Sequence, residues 1–162
     1  MTAVPDASKS VPEDPPPRMR GVELSDLEAT TLLDQELFER DSYSYTVMRQ
    51  FYDLYSRHFL VIDDGKGIQG YVLAGTAVDG NSCVLGLGIT RDRRGRGLGR
   101  RLMLRVLDLL RADGVHTVRL SVAPENDTAI DLYKSLDFTT EGDLQKDYFG
   151  PGGDRYVMVR QL

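Results

Sequence analysis

The run Arg91-Asp-Arg-Arg-Gly-Arg-Gly-Leu-Gly-Arg-Arg-Leu102 constrains this chain more than any other stretch. It follows the apolar run Cys83-Val-Leu-Gly-Leu-Gly-Ile89, which suits a strand. It opens a segment in which Leu98, Leu102, Val106, Leu109 and Leu110 recur at helical spacing and which Gly114 can end. Strand, glycine-rich turn and helix in that order bring unpaired backbone amides and the positive end of a helix dipole to one point, which makes an anion site. Gly95, Gly97 and Gly99 let the backbone turn sharply and approach a bulky anion such as a pyrophosphate.

Spacing separates the phosphate motifs. A P-loop needs Gly-Lys followed by Ser or Thr, but Gly65-Lys66 is followed by Gly67. A dinucleotide fingerprint needs Gly-x-Gly-x-x-Gly, whereas Gly97-Leu-Gly99-Arg-Arg-Leu102 ends in leucine and Gly95-Arg-Gly97-Leu-Gly99 is one residue short. A nucleic-acid surface is not expected either: the net charge is -5, only four residues are lysine, and the arginines are concentrated in one stretch.

With 162 residues, 41% of them hydrophobic, the chain has enough material for one domain with its own core. Residues 1–17 hold five of the seven prolines and read as a flexible, proline-rich tail; residues 18–162 read as the folded domain. No apolar run reaches about 18 residues and the N-terminus lacks a secretion signal, so no membrane association and a cytoplasmic location are expected. The single cysteine, Cys83, reads as a small buried hydrophobe; with only His58 and His116 beside it, no metal site is expected.

The rest of the chain reads as alternating elements. A short strand at 19–24 precedes a helix opened by a Ser25–Glu28 capping box and running to about Arg40. A second helix carries Val47, Phe51, Leu54 and Tyr55 and ends near Arg57. Strands at 58–63 and 68–74 flank the hairpin turn Asp64-Gly-Lys-Gly67, and a third covers 83–89. After the helix from Leu98 come a strand at 116–122 and a helix capped by Asn126, with Ala129, Ile130, Tyr133 and Leu136 on its apolar face. Phe138 onward and 156–162 close the chain, with Gly150-Pro-Gly-Gly153 as the turn between them. This order implies a single mixed α/β sheet with helices on both faces.

Arg94-Gly-Arg-Gly97-Leu-Gly99 fits Arg/Gln-x-x-Gly-x-Gly/Ala and resembles the acetyl-CoA pyrophosphate loop of the GNAT superfamily of N-acetyltransferases. Leu120-Ser-Val-Ala-Pro-Glu-Asn126-Asp-Thr-Ala-Ile-Asp-Leu-Tyr133-Lys-Ser-Leu-Asp-Phe138 is similar to that family's second signature. The nearest pattern is the ribosomal-protein alanine, or protein N-terminal, acetyltransferase branch.

The resemblance implies a mostly antiparallel sheet of six to seven strands with about four helices. It also implies direct acetyl transfer from acetyl-CoA to a primary amine, at a protein N-terminus or on a small molecule. The implied coenzyme contacts are Leu87, Gly88, Ile89, Arg94, Gly95, Arg96, Gly97, Leu98, Gly99, Arg100 and Asn126, with a bulge at Gly88 splaying the sheet. Arg91 and Arg93 read as solvated surface. Tyr133 is the implied general acid on the departing thiolate. Asp137 replaces the glycine usual after Tyr-x-x-Leu, which aspartate tolerates in a left-handed turn.

Ser121 stands where the related branch has a glutamate, and serine cannot replace it as a base. Glu36, Asp147 and Tyr148 are the candidates. The acids Asp34, Glu36, Glu39, Asp41, Asp143, Asp147 and Asp154 near the expected acceptor site would attract a cationic amine, and are equally readable as solvated surface. At pH 7 about one α-amine in seven is neutral, against about one lysine in 2,500, so a weak base favours α-amines. The alternative reading is an acyl-CoA-binding pseudoenzyme or regulatory module. Monomer and homodimer both remain open, the closing strands offering a possible dimer edge.

Overall fold

A computed structural model of the chain describes residues 15–162; most of the expected tail lies outside the described residues. The elements are β1 (Arg18–Gly21), α1 (Leu27–Phe38), α2 (Tyr45–Tyr55), β2 (Phe59–Asp63), β3 (Ile68–Thr76), β4 (Asn81–Ile89), α3 (Leu98–Ala112), β5 (Thr117–Val122), α4 (Asp127–Ser135), β6 (Thr139–Thr140) and β7 (Tyr156–Gln161). They build one seven-stranded sheet in the order β1-β2-β3-β4-β5-β7-β6. Every pairing is antiparallel except that of β4 with β5. β7 therefore lies inside the sheet, and of the two closing strands it is β6, paired with β7 at Val159 and Met158, that stands at the edge.

Alternation along the strands supplies two cores. On one face Leu60, Ile62, Val72, Val84, Val118, Leu120 and Val122 meet Leu102, Met103, Val106 and Leu110 of α3 and Tyr133 and Leu136 of α4. On the other, Phe59, Val61, Tyr71 and Leu73 meet Leu27 and Leu33 of α1 and Met48 of α2. Full burial of one such aliphatic side chain is worth about 1.5–3 kcal/mol, so either helical layer fixes its sheet face firmly.

Several boundaries differ from the expected ones for local reasons. α1 starts at Leu27 because Asp26, rather than Ser25, organises its approach: the Asp26 carboxylate accepts the Glu23 amide at 2.7 Å and a bidentate pair from Arg20 at 2.7 and 2.9 Å. The helix stops at Phe38, where Glu39 takes a positive φ of 49° and a single tight turn, Glu39–Asp41, follows. Ser44 caps α2 by accepting the Val47 amide. The closing strand expected from Phe138 shrinks to two residues, and a long connection carrying the Gly150–Gly153 turn leads to β7. Asp137 does adopt the left-handed conformation, with φ 63°.

One irregularity positions the site. Leu73 pairs with Gly86 and Ala74 with Val84, so Leu85 is an extra residue in β4. The expected bulge at Gly88 is thus corrected to Leu85. Leu85 and Gly86 face the α1–α2 side in succession, because Leu85 packs on that core and a Cβ at Gly86 would lie 2.7 Å from the Tyr71 hydroxyl. At Gly88 a Cβ would lie 2.8 Å from Leu37 and 3.0 Å from the Tyr71 ring. Both glycines make room for Tyr71. Beyond the pairing of Asn81–Cys83 with Thr117–Arg119, β4 and β5 are no longer joined.

Candidate active site

The first component is the start of α3. Gly97 caps the helix with φ 74°, and Gly95 has φ 75°; both values favour glycine. The Arg101 amide is the first bonded within the helix, to the Gly97 carbonyl at 3.0 Å. The amides of Leu98, Gly99 and Arg100 are left to point out of the N-terminus, where they can receive an anion. A Cβ at Gly99 would make only ordinary contact, 3.5 Å from Leu132.

The six arginines divide by partner. Arg94 donates to the Ile89 carbonyl at 3.3 Å and so braces the end of β4 against the loop. Arg93, expected to be solvated surface, is half-buried and donates to Asp64 at 2.9 Å, tying the loop to the β2–β3 hairpin. Arg100 spends its guanidinium on the Ser135 hydroxyl at 2.8 Å, so its amide rather than its side chain belongs to the cradle. Arg91, Arg96 and Arg101 are exposed and have no polar side-chain partner among the described residues.

The second component is a cavity of about 460 Å³ that runs through the gap between β4 and β5. Its waist is Val84–Leu87 on one strand and Leu120–Ala123 on and just after the other. Asn126, Ala129 and Tyr133 of α4 form one end. Asp34 and Phe38 of α1, residues 40–43 of the following loop, Tyr71 of β3, and Phe149 and Arg155 before β7 form the other. α4 joins cradle to cavity, since Leu132 and Ser135 approach Gly99 and Arg100 while Asn126, Ala129 and Tyr133 line the gap.

Tyr133 is buried, its ring 5.9 Å from that of Phe138, and burial pushes its phenol up to about 12. It stays protonated at any neutral pH, as a proton donor must. Its hydroxyl has no hydrogen-bond partner among the described residues. Asn126 accepts the Ala129 amide at 3.2 Å as the cap of α4 and also lines the cavity.

Residues 23–138 match the family described as the Acetyltransferase (GNAT) family. The chain belongs to the GNAT acetyltransferases. Among its relatives, the N-alpha-acetyltransferase RimI of Mycobacterium tuberculosis is 38% identical over 74 residues, 46% of this chain and 45% of that protein. The match thus spans less than half of that relative's length. The spermidine N(1)-acetyltransferase of Vibrio cholerae is 30% identical over 132 residues, 77% of this chain and 75% of that one. Among solved structures, Ard1 of Thermoplasma volcanium superposes with TM-score 0.84 at 22% identity, covering 90% of this chain and 97% of that one. The ribosomal-protein-S18-alanine N-acetyltransferase of Escherichia coli does so with TM-score 0.77 at 21% identity, covering 90% and 93%. Such identities establish the GNAT fold and nothing finer.

Within this GNAT frame the sequence-derived bases separate from the cavity. Glu36 is exposed on α1 and does not line it. Asp147, with φ 52°, accepts the Gly152 amide at 2.9 Å and braces the β6–β7 connection. Tyr148 is exposed, stacks edge-on with Phe149 at 4.8 Å, and reaches a second hollow of about 340 Å³ beside Tyr55, Cys83 and Arg119. Cys83 is exposed at that hollow rather than buried in a core as expected. Leu87 lines the cavity and Ile89 packs on the α3–α4 core, whereas Gly88 is occupied by the Tyr71 contact.

Of the two carboxylates that line the cavity, Asp34 and Asp41, the buried one is Asp34. It is 1% exposed, accepts the Tyr71 hydroxyl in a very short hydrogen bond and accepts the Tyr43 amide at 2.6 Å. Burial raises its pKa above the usual carboxylate range, against the two hydrogen bonds that lower it. A signal for it lies in the sequence: Leu27, Thr30, Thr31 and Asp34 follow one stripe of α1, so an acid occupies a core-facing position. Asp41, by contrast, is held by Arg155 at 2.7 Å, and Asp154 by the Asp147 amide and Lys146. Each of these two acids therefore already has a cationic partner. Among the described residues no group of three or more His, Cys, Asp or Glu side chains is placed to hold a metal, and no helix is long and apolar enough to cross a membrane.

Proposed function

We propose that the protein is an acetyl-CoA-dependent N-acetyltransferase acting on a primary amine, with a peptide N-terminal α-amine as the preferred acceptor. The observation that carries this reading is the cavity through the β4–β5 gap. It has α4 and Tyr133 at one end and two loops at the other, so two substrates can meet from opposite faces of the sheet.

The residues present fit acetyl-CoA. Amides of Leu98, Gly99 and Arg100, with the glycine conformations that expose them, suit its diphosphate, and exposed Arg96 and Arg101 supply charge nearby. The unpaired edges of β4 and β5 suit its amide-bearing arm. Tyr133 supplies the proton that the departing thiolate needs. Asn126 sets the start of α4, and therefore the position of Tyr133 two turns on.

The acceptor enters between the α1–α2 loop and the β6–β7 connection, past Phe38 and Phe149. An α-amine is favoured because about one in seven is neutral at pH 7, far more than for lysine. A second reading, a polyamine acceptor, is favoured by the 75% coverage of the Vibrio cholerae relative. Initial rates of CoA thiol release with N-terminal peptides, an internal-lysine peptide blocked at its N-terminus, and spermidine distinguish them. Highest kcat/KM on the N-terminal peptides is expected, and highest kcat/KM on spermidine would replace this reading with the second.

A further inference from the structure

Two carboxylates line the cavity, and they differ in what balances them. Asp41 lies between Arg155 at 2.7 Å and Arg40 at 3.6 Å. Among the described residues Asp34 has no cation against it, only two neutral donors: the Tyr71 hydroxyl on Oδ1 and the Tyr43 amide on Oδ2. A buried charge held by neutral donors alone is costly. Each carboxylate oxygen also keeps a lone pair for a further hydrogen bond. Asp34 is moreover registered to the gap: Tyr43, whose amide it accepts, donates its own hydroxyl to the carbonyl of Leu85, the bulged residue of β4, at 2.9 Å.

We propose that Asp34 is the general base of acetyl transfer, taking a proton from the acceptor ammonium at the acceptor end of the cavity. The assignment rests on the N-acetyltransferase reading above. One N–H bond of the ammonium breaks and its proton binds an Asp34 oxygen, leaving a neutral amine whose lone pair attacks the thioester carbon. As the C–S bond breaks, its electron pair goes to sulfur, which takes the Tyr133 proton. The Tyr133 oxygen recovers a proton from the new amide nitrogen. Asp34 returns its proton to solvent as the amide leaves, so the sum is amide, CoA thiol and one released proton.

The titratable and charged groups facing Asp34 are Tyr43 from the α1–α2 loop and Tyr71 from β3. Arg40, Asp41 and Arg155 share its end of the cavity, and Tyr133 of α4 stands at the other. Of these, Tyr71 is held neutral, its phenol pushed well up by burial and by Asp34 itself.

The test is the pH dependence of kcat/KM for Asp34→Asn against wild type, with an N-terminal peptide as acceptor. Acetyl-CoA affinity and the melting curve report whether the variant folds. Wild type should be flat above an acid limb that lies higher than an ordinary carboxylate's. Asp34→Asn should lose about sevenfold at pH 7, where about one α-amine in seven is already neutral, and more at lower pH. Its rate should then rise with the free-amine fraction and level off above the amine pKa near about 8, closing on wild type. Tyr71→Phe, which removes one donor to the carboxylate, should move the wild-type acid limb to higher pH. A pH-independent loss in Asp34→Asn, no loss at all, or an unmoved limb in Tyr71→Phe overturns the base assignment alone. Absence of thiol release by wild type with every amine overturns the acetyltransferase reading and this one with it.

Discussion

Arg155, just before β7, donates to Asp41, in the turn after α1, across 2.7 Å. The two residues are 114 positions apart in sequence, and the bond joins the two loops that flank the acceptor end of the cavity. Arg40 adds a bond to the Pro151 carbonyl at 2.9 Å, and the Arg155 guanidinium stacks on Phe149, 5.0 Å from the ring centroid. Arg155→Ala should therefore raise the KM for a peptide acceptor several-fold while leaving acetyl-CoA affinity unchanged, as steady-state kinetics and calorimetric titration would show. Because Asp41 remains about one-third exposed, the stability change should stay below about 1 kcal/mol.

Tyr133→Phe removes a hydroxyl that has no protein partner among the described residues. Melting temperature and acetyl-CoA affinity should hardly change, while the rate of thiol release falls about 100-fold. With the phenol at about 12, the defect should be constant from pH 6 to pH 9. A defect that varies across that range would remove Tyr133 from the proton-donor role.

Gly97→Ala places a Cβ in open space but on a backbone with φ 74°. The strain of about 1–2 kcal/mol must be met by turning the amide plane, so acetyl-CoA should bind about 5–30-fold more weakly. Gly99→Ala, with ordinary space and no positive φ, should bind almost as wild type. Titration calorimetry on the two variants separates backbone conformation from bulk.

Two buried carboxylates give opposite pH signatures in stability. Asp26 has its pKa lowered, chiefly by the hydrogen bonds from Arg20, so its contribution is present above about 3.9 and disappears as pH falls through the lower folded value. Arg20→Ala should therefore narrow the stability gap between pH 7 and pH 3. Asp34 has its pKa raised by burial, so ionising it costs stability as pH rises through the raised value. Relative to wild type, Asp34→Asn should gain in melting temperature from pH 4 to pH 7 even as its activity falls. Thermal melts across that range check both signs.

The order of elements and the glycine turn that opens α3 are legible in the sequence because both are local. Glycine spacing, helix periodicity and the Asn126 cap act within a few residues. The bulge is not, because Gly86 and Gly88 are explained by the Tyr71 ring on the neighbouring strand rather than by their own backbone. The base is missed for a related reason. Glu36 and Asp147 lie in acid-rich segments; the stripe Leu27, Thr30, Thr31 and Asp34 marks Asp34 as core-facing, but only packing puts it at the cavity while Asp147 braces a turn. Arg93 and Arg100 look equivalent to their neighbours until Asp64 and Ser135, 29 and 35 residues away, claim their side chains.

The most direct test of acetyl transfer at this cavity is stoichiometric CoA thiol release on mixing the protein with acetyl-CoA and an N-terminal peptide, with the peptide's mass followed in parallel. The expected result is one acetylated α-amine per thiol released, at a rate that Tyr133→Phe lowers about 100-fold. Acetyl-CoA binding without thiol release from any peptide or small amine would contradict the account.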